Sequence, residues 1–127
     1  LEILPMKPPI TRHRNTTTRY IQTAADQELL DQMDELVGHA ARGDQRAIGA
    51  IAVAFGSTLA REARKELSPL YELDAPDVVE RFLWDLLQEK LSFPHIRGAA
   101  VAWMKRMVRE GARRHLAKRG GGWKEAG

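Results

Sequence analysis

Apolar residues recur at a helical period in four separate stretches, and glycine or proline cuts the chain between them. This pattern leaves little room for a sheet, and no stretch alternates in the way a half-buried strand requires. The first helix is expected over Ala24–Ala41, with Leu29, Met33, Leu36, Val37 and Ala40 on one face and acids on the other. Thr23 is placed to cap it, and its early acids suit the positive end of the helix dipole. Gly43 is the expected stop, and Asp44 the expected N-cap of a second helix over Gln45–Leu67. That helix carries Ile48, Ile51, Phe55, Leu59 and Leu67 on its apolar side. Gly49 and Gly56 are expected to let a neighbouring helix approach closely. Pro69 interrupts the chain in the connector, and Asp74-Ala75-Pro76 opens a third helix with the proline in its first turn, where no hydrogen bond is lost. Its apolar face runs from Val78 through Phe82 and Leu86 to Leu91; Asp77, Glu80, Arg81, Asp85 and Gln88 form the polar face. Pro94 breaks the segment Ser92–Gly98, and a fourth helix follows to about Lys118, where Gly120, Gly121 and Gly122 are expected to end it. The expected fold is an all-α bundle of about four helices spanning residues 24–119. A flexible, proline-broken arm at 1–23 and a tail at 120–127 flank it.

Charge is distributed unevenly along these elements. The chain is +3 overall, yet Arg97–Arg119 holds eight Lys and Arg residues against the single acid Glu110. Asp26–Glu35 contains five acids and no base, and Glu66–Glu89 contains seven acids and one base. The fourth helix therefore reads as one apolar stripe for a core and one cationic face for a polyanion. The stripe includes Trp103, Met104, Met107, Val108 and Leu116. An acidic segment followed by a basic one points to two different partners, or else to two solvated helix faces.

Several chemistries are excluded or disfavoured. The chain has no Cys, so disulfides and cysteine metal sites are out, and a reducing cytoplasm is the expected setting. The four His residues show no metal-ligand spacing, and no glycine loop precedes a helix in the manner of a phosphate cradle. Asp77 and Glu80 lie one turn apart, but exposed helix carboxylates at that spacing are usually solubilising. No apolar run approaches the roughly 20 residues that cross a bilayer. A protein that binds rather than catalyses, without cofactor or metal, is the expectation.

Gly43-Asp44-Gln45 leads the second helix, DVVERFLWDLL spans 77–87, and AWMKRMVREGARRHLAKR spans 102–119. In order and spacing these segments resemble region 2 of the sigma-70 family of transcription factors, especially the compact extracytoplasmic-function group. Ala102, Trp103, Arg106, Arg109, His115 and Leu116 fall in family positions. The resemblance covers roughly residues 43–119. It implies a bacterial transcription-initiation protein, in the cytoplasm and associated with the nucleoid. Its partners would be the RNA polymerase core, single-stranded promoter −10 DNA and an inhibitory anti-sigma protein.

On that resemblance Asp77, Glu80, Arg81, Asp85 and Gln88 would meet the clamp helices of the polymerase β′ subunit. The Ser92–Arg97 loop would capture a flipped base. Lys105, Arg106, Arg109, Arg113, Arg114, Lys118 and Arg119 would hold the DNA backbone. Phe93 and His95 each have a stacking reading and a plainer one. Phe93 is preferred as packing over the bundle end, His95 is open between a base-stacking and a merely exposed role, and Trp103 is read as core. The family's Gln-Glu pair is Glu80-Arg81 here, and its Arg-Asn is Arg109-Glu110, which sets an acid where an amide would read base edges. The chain shows no second domain for the −35 element, so the expectation is an isolated region-2 domain or a diverged single-domain relative. A helical module that binds polymerase or a regulator without reading promoters is the alternative.

Overall fold

The computed structural model describes residues 24–126, with side chains through Arg119. The expected arm at 1–23 and the Thr23 cap lie outside the described residues, as do the side chains of the tail. Four α-helices follow in order: α1 Ala24–Ala41, α2 Gln45–Leu67, α3 Ala75–Leu87 and α4 Ala100–Ala126, with a 3-10 turn at Glu72–Asp74 before α3. No strand occurs among the described residues, and the fold is all-α. None of these helices is long and apolar enough to cross a membrane.

The α1–α2 corner shows how local sequence sets the path. Gly43 adopts φ +85°, a left-handed conformation that costs glycine nothing. Its N–H donates to the Ala40 carbonyl at 2.9 Å, and the Asp44 N–H donates to the His39 carbonyl at 3.1 Å. Together these satisfy the last carbonyls of α1 in a Schellman motif. A side chain at Gly43 would also come within 3.1 Å of the Leu87 carbonyl oxygen, so α3 closes over this corner. Asp44 then caps α2: its carboxylate accepts from the Arg46 and Ala47 N–H groups at 2.9 and 3.3 Å. One dipeptide thus ends one helix and starts the next.

Helix α2 is central and packs against the other three helices. The core runs through Val37 of α1, Ile51, Leu59 and Leu67 of α2, Phe82 and Leu86 of α3, and Trp103, Met104 and Val108 of α4. Trp103 is buried, its ring edge-to-face with Phe82 at 6.1 Å.

The structure corrects three expectations. First, α3 ends at Leu87 rather than running on to Leu91. Glu89 takes φ +56°, its N–H donates to Leu86, and the Lys90 N–H donates to Asp85, a second Schellman ending built without glycine. Leu91 still packs on the core, but from the loop. Second, α4 continues through Gly120–Gly122 to Ala126. Glycine weakens a helix by about 1 kcal/mol per residue but retains its N–H, so nothing covalent forces a stop there. Third, nothing lies within 4 Å of a Cβ placed on Gly49 or Gly56, so neither glycine admits a neighbouring helix. That side of α2 is open, with Val53 89% exposed.

Replacing Asp44 by Ala should destabilise the fold by about 1 kcal/mol, the usual worth of an N-cap. Urea unfolding is expected to show a lower midpoint with an unchanged slope. A midpoint equal to that of the parent would show that the cap contributes nothing.

Candidate nucleic-acid and partner interface

The loop between α3 and α4 is anchored by α1. The Arg97 guanidinium grips Asp31 with two bonds, Nε to Oδ1 at 3.0 Å and Nη2 to Oδ2 at 3.1 Å. This pairing, chiefly the hydrogen bond from Arg97, holds the Asp31 carboxyl below the usual carboxylate range. Asp34 accepts from the Gly98 N–H at 2.6 Å and from the Ala100 N–H at 3.2 Å. The residue before α4 is Ala99, whose carbonyl accepts from Trp103, and alanine has no side chain with which to cap. An acid from another helix takes over that role. Gly98 at φ +78° lets the backbone turn its N–H toward the carboxylate.

Inside the loop Phe93 is only 4% exposed. Its ring sits edge-on to Trp103 at 5.3 Å and to His95 at 5.2 Å. Phe93 therefore packs over the bundle end, the reading preferred from the sequence, and its buried ring is closed to a base. Arg97, expected in the base-capturing loop, is exposed and braces that loop against α1. Ser92, Pro94, His95 and Ile96 remain exposed. His95 holds φ +60°, uncommon for a residue with a side chain, and its ring lies beside Gly38, where a Cβ would stand 3.7 Å from its Cε1 atom.

The cations of α4 divide into two flanks around its buried stripe, as about 100° of turn per residue dictates. Lys105, Arg106, Arg109 and Arg113 lie toward α2 and the outer surface. Arg114 and Lys118 lie toward α3. The arginines expected to be free are mostly engaged. Arg109 donates to Glu62 at 3.2 Å, Arg113 forks onto Glu66 at 3.2 and 3.4 Å, and Arg106 donates to Glu110 at 3.1 Å. Arg119 donates to Asp74 at 2.8 Å and lies 5.0 Å from the centre of the Tyr71 ring. His115, a second donor to Asp74 at 2.8 Å, ties α4 to the turn before α3. Glu62 is the only buried charged residue among those described; Lys65 at 3.0 Å, then Arg109, keep it ionised and its carboxyl below the usual range. Sequence reasoning missed this α2 contribution because the charges in REARKE, residues 61–66, nearly cancel within one helix.

On α3, Asp77, Glu80, Arg81 and Gln88 are exposed, while Asp85 is half-buried and pairs with Arg81 at 3.5 Å. Trp84 lies among them, 51% exposed. Sequence reasoning placed it on neither face. The signal was its spacing, three and four residues from Arg81 and Gln88 on the polar side. Between α3 and α4 a groove of about 330 Å³ has an apolar floor of Val78, Phe82 and Met107, with Asp77 on one wall and Arg114 and Lys118 on the other. Among the described residues no group of three His, Cys, Asp or Glu side chains is placed to hold a metal ion.

Comparisons with known proteins add no relative: no family model matches the chain, and neither a curated protein nor a solved structure resembles it significantly.

The paired carboxylates set the acid response. Asp31, Glu62 and Asp74 have lowered folded-state pKa values, Asp74 chiefly through the hydrogen bond from His115 and then that from Arg119. A depressed carboxylate contributes stability that is present above its unfolded value and is lost as pH falls through the folded one. The melting temperature should therefore hold from pH 7 to about pH 5 and drop below about pH 4. Asp74→Asn should melt lower at pH 7 and show a shallower acid limb. Melting curves for the two proteins that run parallel below pH 4 would refute the linkage.

Proposed function

We propose that the chain is a sigma region-2-like transcription-initiation protein, a binding protein and not an enzyme. In this reading the exposed face of α3 docks on the β′ clamp helices of RNA polymerase. The loop takes an unstacked base of the promoter −10 region, and α4 holds the strand's backbone. The observation that carries the reading is an ordered sequence of surfaces: an acidic helix, then an exposed loop braced by two carboxylates of α1, then a helix rich in cations. An acidic face suits a basic partner helix and speeds its encounter. A braced loop presents His95 with little ordering cost on binding. With Phe93 in the core, His95 is the residue left to stack on a base, an interaction worth about 1–3 kcal/mol. An anti-sigma protein and a place at the nucleoid belong to the same reading.

One observation favours the alternative of a protein-interaction module without promoter recognition. Arg97, Arg106, Arg109, Arg113 and Arg119 are already paired with acids of this chain, and Trp84 offers an aromatic anchor of the kind found at protein interfaces.

Two measurements separate these. Affinity for a single-stranded −10 oligonucleotide should fall steeply with salt, since each neutralised phosphate releases about 0.7 counterion. His95→Ala should weaken binding to the preferred sequence more than to a scrambled one; equal losses would remove the loop from base recognition. In a pull-down with β′ clamp helices, Glu80→Lys and Trp84→Ala should each reduce capture at least several-fold. Capture of clamp helices with no oligonucleotide binding at any salt selects the module.

A further inference from the structure

Along the line where α2 and α4 meet, Glu62 pairs with Arg109 and Glu66 pairs with Arg113, both across the same sequence separation of 47 residues. The two helices therefore run side by side in the same direction here. Glu62 is buried, and three cations gather on it: Lys65 at 3.0 Å, Arg109 at 3.2 Å, and Lys105 close enough for its charge to help hold the carboxyl ionised. Arg61 stands one turn before Lys65 and is exposed. Lys105, Arg109 and Arg113 repeat every four residues, a rise of about 6 Å per step. Lys65, Lys105, Arg109 and Arg113 thus border a seam that holds two carboxylates, and Arg61 extends the cations of α2 beyond it on the outer surface.

The carboxylates do not cancel this face; they fix it. Arg109 donates through one Nη to Glu62, leaving most of its five donors for another acceptor. Lys65 keeps 62% of its side chain exposed while paired. The opposite flank of α4 is poorer, because Arg114 and Lys118 face the α3 wall of the groove, where Asp77 stands and Asp85 pairs with Arg81. A ladder of cations on two parallel helices suits a chain of regularly spaced negative charges better than a single compact anion.

We infer that the α2–α4 seam is the phosphate-tracking surface of this protein. Arg61 and Lys65 of α2 share the nucleic-acid backbone with Lys105, Arg109 and Arg113 of α4, and Glu62 and Glu66 are positioning residues. The inference rests on the reading that α4 engages nucleic acid, and adds to it a second helix and a choice of flank.

The test is fluorescence anisotropy with a labelled single-stranded oligonucleotide across a salt series, on the full chain. The Arg61→Ala/Lys65→Ala double variant should bind more weakly regardless of sequence. The slope of log affinity against log salt should flatten by about 1.4, two contacts at about 0.7 each. The Arg114→Ala/Lys118→Ala pair should cost less than the α2 pair. Melting temperature reports that each variant is folded. Should the α2 pair leave the slope unchanged, or the groove pair cost more, the seam is wrong while nucleic-acid binding by α4 stands. Should the unaltered chain bind no oligonucleotide even at low salt, the nucleic-acid reading itself falls. A polyglutamate that competes as well as DNA at equal charge would make the seam a site for acidic protein, overturning the phosphate assignment.

Discussion

A carboxylate from α1 carries the geometry on which the rest of this molecule depends. Helix α4 begins after Gly98-Ala99, with no side chain of its own to satisfy its first N–H groups, and Asp34 supplies the acceptor from 66 residues earlier in the chain. Asp31, one turn before it, takes the Arg97 guanidinium in a two-bond grip. These two contacts fix where α4 starts and hold the end of the loop against α1. An acidic first helix thus has a use that composition could not reveal. It is not only a solvated face, because part of it is consumed in placing the basic helix.

The same logic governs the rest of the charge. Counted along the sequence, Arg97–Arg119 is a concentrated block of positive charge. In the folded chain, acids from α1, α2, the turn before α3 and α4 itself reach most of its arginines. Exposed pairs of this kind are individually worth about 0–1 kcal/mol. Their consequence is therefore orientation more than stability. Glu110 illustrates it. It is the single acid of Arg97–Arg119 and stands where the family resemblance would place an amide. Its carboxylate accepts from Arg106, one turn earlier on the outer surface.

What was legible in the sequence follows from periodicity. All four helices, the Gly43-Asp44 corner and the burial of Trp103 could be read from apolar spacing and capping chemistry, because those signals lie within a few residues of each other. The early end of α3 could not, since Glu89 adopts a left-handed conformation usually supplied by glycine. The packing of Phe93 was the preferred reading, but its partner was not legible, since that depends on Trp103 crossing beneath a loop ten residues away. Pairings such as Glu62 with Arg109 connect residues 47 apart, and no local pattern announces them. The site was thus visible as an order of surfaces, while its working residues were set by tertiary contacts. The order of those surfaces is the main support for the functional reading.

That reading assigns nucleic acid and protein to different faces of one small bundle, and a backbone amide NMR titration addresses the assignment most directly. Adding a single-stranded −10 oligonucleotide should shift the amides of Ser92–Gly98 and of the α2–α4 seam, leaving Asp77–Gln88 in place. Adding a β′ clamp-helix peptide should shift Asp77–Gln88 and leave the loop and the seam in place. Oligonucleotide shifts confined to α3, or the same residues responding to both partners, would contradict the account.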